Sequence, residues 1–158
     1  RWYGGFDSYI VAQEFETDIY APSMGRKIKR EDEMDIHHLP YMNWIEWINN
    51  LSKFKYAVHL MPTHAAGTFA LNCAYHGIPC IGYEGLDTQQ KCHPQLTIKM
   101  NDLTTARKLA NQLKNDSSFY ETASFTAKNN FNTFFEEKEY IYNMTDKIKE
   151  VINDKDSK

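Results

Sequence analysis

Apolar positions along the chain fall alternately into short runs and into stripes of helical spacing, which predicts strands and helices in turn. A first helix is expected from Asp7 to Phe15, capped by Asp7 or Ser8, with Tyr9, Ile10, Ala12 and Phe15 as its apolar positions. Asp18 to Ala21 reads as a strand stopped by Pro22, and Met34 to Leu39 as a second strand stopped by Pro40. The charged run from Arg26 to Asp35 alternates in sign and reads as a solvated loop. Between Tyr41 and Phe54, the residues Tyr41, Trp44, Ile45, Ile48 and Leu51 recur at helical spacing. That spacing predicts a helix with Trp44 in the core, Trp47 partly exposed, and Asn43, Glu46 and Asn50 in water. Tyr56 to Met61 is a nearly continuous apolar run ended by Pro62, the pattern of a strand covered on both faces.

A small-residue loop, His64 to Gly67, a helix from Thr68 to Tyr75 and a strand between Gly77 and Gly82 then complete a βαβ unit. A polar loop, Leu86 to Pro94, is expected to lead to a last strand, Leu96 to Ile98. Three helices follow: one capped by Asn101 or Asp102 with Leu103, Ala106, Ala110 and Leu113 on one face, one from Ser117 to Phe135, and one from Glu136 to Ile152 carrying Ile141, Ile148 and Val151. The fold class expected is α/β, a Rossmann-like three-layer α/β/α sandwich with a mostly parallel sheet and a helical C-terminal tail. Residues 1–152 form its single domain, and residues 153–158 are expected to be a frayed polar tail.

Composition narrows the class without changing this picture. A length of 158 residues leaves room for one ordinary domain, and 42% hydrophobic residues are too many for a disordered chain. A net charge of −3 provides no basic field for nucleic acid or anionic membranes, so no nucleic acid partner and at most peripheral membrane contact are expected. No apolar run approaches the roughly 18 residues needed to span a bilayer, and the first residues lack the regions of a signal peptide. Cys73, Cys80 and Cys92 are odd in number with no Cys-x-x-Cys pair, which predicts free buried thiols and a cytoplasmic location. His37, His38, His59, His64, His76 and His93 show no ligand spacing, and no metal site is expected.

Chemistry concentrates at the carboxyl ends of the predicted strands, where loops meet helix N-termini. In Thr63-His64-Ala65-Ala66-Gly67-Thr68, small residues let a ligand approach the backbone while the first helical turn leaves amides unpaired, a combination that favours phosphate. The same residues also suit close packing of helix on sheet, and spacing alone leaves both readings open. Asn72 lies four residues after Thr68, so both side chains can face one ligand, and a polar Asn among Phe69, Ala70, Leu71 and Cys73 needs a partner. Asp87, in the stretch after Gly85, is either a sugar contact or part of a surface turn.

The segment from His64 through Gly67, Leu71 and Asn72 to Gly77-Ile78-Pro79-Cys80-Ile81-Gly82 resembles the donor-binding segment of retaining, group 1-like GT-B glycosyltransferases. In that family a loop and helix carrying two Glu eight positions apart precede the same Gly-x-Pro strand. Aligned on Gly77-Ile78-Pro79, His64 stands at the first Glu position, which implies a place near the transferred sugar, and Asn72 stands at the second, which implies a place near the ribose. Arg1 falls where the family has an Arg on the pyrophosphate, Gly5 falls near its Lys-Gly turn, and the Lys itself is missing. The resemblance implies donor contacts from Gly5, His64, Ala65, Ala66, Gly67, Thr68, Asn72 and Asp87, with Arg1 and His64 as candidate catalytic residues. It implies a nucleoside diphosphate sugar as substrate, no cofactor and no metal, since side chains and a helix terminus stabilise the leaving charge. It further implies that the first strand and an N-terminal acceptor domain lie outside this chain, so that the fragment alone is inactive. The competing expectation, favoured by the loss of both Glu, is a non-catalytic α/β ligand-binding or interaction module derived from a glycosyltransferase.

Overall fold

Cys80-Ile81-Gly82-Tyr83 is buried at every position and has a parallel neighbour on each side, so it forms the centre of the molecule. The structure, a computed structural model, describes residues 5–22, 31, 33–62 and 67–156. In chain order its strands are β1 (Ile19–Ala21), β2 (Ile36–His38), β3 (Ala57–His59), β4 (Cys80–Tyr83) and β5 (Thr97–Ile98). The α-helices are α1 (Gly5–Ala12), α2 (Trp44–Leu51), α3 (Thr68–His76), α4 (Asp87–Cys92), α5 (Leu103–Asn115), α6 (Ser117–Phe135) and α7 (Glu137–Asp156). β3, β4 and β5 form one parallel sheet in that order, with Val58 opposite Ile81 and Gly82 opposite Thr97, while β1 and β2 form a separate parallel pair.

Side-chain alternation along β4 builds the two outer layers. Ile81 and Tyr83 join Val11 of α1 and Ala106, Ala110 and Leu113 of α5, whereas Cys80 joins Cys73 of α3 and Leu51 of α2. α6 links the layers: its Ala123 belongs to the first cluster, and its Ala127 packs with Ala74 and Cys92. The result is the Rossmann-like α/β/α architecture with a helical C-terminal region that the hydrophobic pattern predicts. All three cysteines are free and buried, and no described helix is long and apolar enough to cross a membrane.

Local chemistry sets the helix ends. Asn43 and Glu46 form a reciprocal capping box at α2, Asp102 accepts from Thr105 N at α5, and Asp116 accepts from Phe119 N at α6. Gly77 ends α3 at φ 69°, a left-handed position that glycine occupies without strain, and its carbonyl accepts from Ser124 Oγ of α6 at 2.6 Å.

Several expectations are corrected. α1 begins at Gly5, so Ser8 lies inside the helix and not at its cap, and its Oγ accepts a hydrogen bond from Leu60 N at 2.9 Å. The capping box starts α2 after Tyr41, and the helix docks through Trp47 and Leu51, not through Trp44 and Ile45, which are 62% and 71% exposed. β3 is the last strand of its described sheet, and its faces meet different clusters, Ala57 with Cys73 and Cys80 and Val58 against that of Ile81, although Val58 and His59 are only half-buried. The stretch read as a polar loop from Leu86 to Pro94 is the helix α4 followed by a 3-10 turn at Pro94–Leu96. α7 continues to Asp156, past the expected end at Ile152.

Candidate functional site

The carboxyl ends of β3 and β4 lie side by side, and three helices begin against them. α1 is tied there by the Ser8–Leu60 bond. α3 starts after β3 and α4 after β4, and the two starts are locked together, with Thr88 Oγ1 donating to Gly67 O at 3.0 Å. A Cβ on Gly67 would lie 2.0 Å from that oxygen, so only glycine permits this approach. Gly67 therefore satisfies the packing reading of the small-residue loop, while the first turn of α3 keeps the unpaired amides and partial positive charge that suit an anion.

Asn72 is 7% exposed, and its amide makes no hydrogen bond among the described residues. Its neighbours on α3 are all engaged: Phe69 packs on Trp47 and on the ring of His59, and His76 Nε2 lies 2.9 Å from Ile48 O. Thr68, one turn before Asn72, is exposed at the mouth of the helix. Burial holds His59 below the ordinary imidazole pKa, so it is neutral at pH 7. Asp87 is the first residue of α4 and is exposed; its Oδ1 accepts from Thr88 N at 2.8 Å and its Oδ2 lies 3.9 Å from Lys91 Nζ. Gly5 is the first described residue of α1, and a Cβ added there would lie 3.6 Å from the Tyr9 hydroxyl, ordinary contact distance. Arg1, His64, Ala65 and Ala66 lie outside the described residues.

Sequence reasoning missed the group that braces this edge. Burial first, and the Asp7 carboxylate second, push the Tyr83 hydroxyl above the ordinary phenol pKa, which sets the start of α1 close to the end of β4. Beneath the edge, Gln89 Nε2 donates to Cys80 O at 2.9 Å while its side chain lies across Gly82, where a Cβ would come within 2.5 Å of Oε1. His93 spans the same layer: Cys80 N donates to its Nδ1 at 3.4 Å, and its Nε2 lies 3.0 Å from Ala70 O. This pattern requires the Nε2–H tautomer, and burial depresses the pKa to about 4. His93 is thus a core histidine with both nitrogens occupied by backbone. The signal available in sequence was Thr88, Gln89, Cys92 and His93 at i, i+1, i+4 and i+5, a helical stripe disguised by its polarity. A surface groove lined by Glu14, Thr104, Arg107, Lys108 and Asn111 is built from other elements and is occupied by Glu14 pairing with Arg107 and Asn111.

No protein-family model matches this sequence, and no curated protein matches it. Among solved structures, the chain is similar to TarM, a glycosyltransferase of GT-B-like fold, with a TM-score of 0.66 at 13% identity. The match covers 89% of this chain and 30% of the TarM chain, so the present chain spans under a third of that protein's length. At this identity the likeness establishes a glycosyltransferase-like fold.

Proposed function

We propose that the chain is the donor-binding domain of a glycosyltransferase and holds a nucleoside diphosphate sugar at the carboxyl ends of β3 and β4. The observation that carries this reading is Asn72: a nearly buried side chain without a hydrogen-bonding partner among the described residues, one turn inside a helix whose N-terminus suits phosphate. A ribose hydroxyl matches the oxygen and nitrogen that the Asn72 amide offers. The diphosphate would lie against the first turn of α3 at Gly67 and Thr68, with His64, Ala65 and Ala66 in the connecting loop, Asp87 toward the sugar, and Gly5 and Arg1 toward the phosphates. Transfer itself needs an acceptor-binding half, so this chain alone is expected to bind donor and not to turn it over.

The test is ligand-observed NMR against UDP, GDP, ADP, CMP and their common sugar conjugates. One nucleotide class is expected to bind, and Asn72→Ala is expected to weaken it about 5- to 10-fold, the worth of one neutral hydrogen bond. No binding by the folded chain would overturn the reading in favour of a non-catalytic module. That alternative has one feature in its favour: neither His64 nor Asn72 supplies a carboxylate.

A further inference from the structure

Trp44, Trp47, Ile48 and Leu51 of α2 recur at i, i+3, i+4 and i+7, so they stand within about 100° of one another around the helix. On α3 the residues Phe69, Asn72, Cys73 and His76 repeat the same spacing. The two stripes face each other: the rings of Trp47 and Phe69 are 6.1 Å apart, Leu51 shares a cluster with Cys73, and His76 Nε2 lies 2.9 Å from Ile48 O. Four residues forward on either helix, from Trp47 to Leu51 and from Phe69 to Cys73, run the same way along the contact, so both helices start at the same end. Burial falls toward that end. Leu51 is 3% exposed and Trp47 is half-buried, whereas Trp44 is 62% exposed although it stands on the docked side.

The reason is axial position. Trp44 precedes Trp47 by about 4.5 Å along α2, whereas Phe69 is already the second residue of α3, and side chains lean toward the N-terminus of their helix. The indole is therefore carried past the first turn of α3 and stands beside its mouth. Asn72 belongs to the α3 stripe that faces α2, between Phe69 and His76, so its amide lies on the same side as Trp44. A nucleoside diphosphate with its phosphates on the first turn of α3 and a ribose hydroxyl on Asn72 leaves its base, carried on C1′, on the α2 side of that mouth. Trp44 supplies the exposed aromatic face there.

We propose that Trp44 is the platform on which the base of the donor nucleotide stacks, an assignment that rests on the donor-binding reading above. A nucleobase is flat, aromatic and comparable in size to an indole, and stacking accepts any base because every base has a π-face. Trp44 thus contributes affinity for the nucleotide, and choice among bases falls to other groups. Ile45 is 71% exposed but points about 100° away around α2 and takes no part.

NMR titration of the whole chain with UDP, GDP, ADP and CMP tests this. For the nucleotide that binds most tightly, Trp44→Ala is expected to raise Kd about 5- to 100-fold, the range measured for base–aromatic stacks. Trp44→Phe is expected to recover most of that loss, and Ile45→Ser to bind as wild type. In the wild-type complex the ring protons of the base are expected to shift upfield under the indole ring current, a shift that Trp44→Ala abolishes. Circular dichroism of each variant confirms that it is folded. Binding that falls in Asn72→Ala but not in Trp44→Ala, or base protons that do not move, overturns the stacking role and leaves the donor reading standing. A loss in Trp44→Ala that Trp44→Phe does not recover also overturns it, in favour of a structural role for the indole. No binding of any of the four nucleotides overturns both readings together.

Discussion

α4 and α7 reverse the usual relation between polarity and burial. α4 reads Asp-Thr-Gln-Gln-Lys-Cys, yet its Thr88, Gln89 and Cys92 are buried, with His93 just beyond. α7 carries six large apolar residues on one stripe and buries none of its described side chains. The difference lies in what each side chain meets. Gln89 and His93 bond to the backbone of Cys80 and Ala70, polar groups at the end of a short central strand and inside α3. For Gln89 Nε2 and both nitrogens of His93, burial exchanges water for a protein partner at little net cost, while Gln89 Oε1 is buried without a partner among the described residues. Among the described residues nothing covers the α7 stripe, so its apolar area is left exposed.

The comparison breaks hardest at His93. His93→Ala is expected to destabilise the fold by about 3–5 kcal/mol, because it opens a cavity and strands Ala70 O and Cys80 N, as read by urea denaturation. A loss within 1 kcal/mol would mean that α4 is held by packing alone.

Titration probes the same group without mutation. The His93 pKa is depressed to about 4 in the folded chain against an ordinary 6.5. The unfolded chain therefore binds a proton between those values that the folded chain refuses. Stability is expected to be full above pH 6.5, to fall by about 3 kcal/mol as the pH drops toward 4, and to level off below as far as this group is concerned. His59, lowered in the same direction by burial, adds to the slope. A His93→Gln variant that keeps the whole slope would refute the assignment.

Smaller effects sharpen the picture. Gly67→Ala is expected to cost about 1–3 kcal/mol through its collision with Thr88, and the double variant Gly67→Ala/Thr88→Ala is expected to cost less than the sum of the two singles, because the colliding oxygen is gone. Additive losses in a double-mutant cycle would place the strain elsewhere. Smallest of all, Ile148→Glu on α7, where the side chain is 53% exposed, is expected to change unfolding stability by no more than about 0.5 kcal/mol. An apolar residue on a helix would then matter less to the monomer than a buried histidine.

Legibility in the sequence followed the same division. β4 and the helices α5 and α6 were readable from their apolar periods, with Asp102 read as the α5 cap it proves to be, while the Asp116 cap of α6 appears only in the structure. α2 was readable as a helix but not in its docked face, since Trp44, Ile45 and Trp47 are equally apolar and only contact with Phe69 and Cys73 selects the side of Trp47. α4 was unreadable as a helix because polar residues that serve neighbouring backbone look, in sequence, like residues that seek water. Within the candidate site, the glycine at 67 and the isolated amide at 72 were visible as anomalies. Their meaning was not: Thr88, which requires Gly67 to be glycine, lies 21 residues away.

Sequence by itself determined the alternation of strand and helix, the βαβ unit around Gly77-Ile78-Pro79, the Asp102 cap of α5 and the stripe of α7, because each rests on spacing within one or two turns of chain. Only the tertiary structure decided which polar residues are core, which face of α2 docks, and that α1, α3 and α4 begin together at one edge of the sheet. Those outcomes depend on which backbone groups long-range contact leaves in need of a partner, and local spacing holds no record of that.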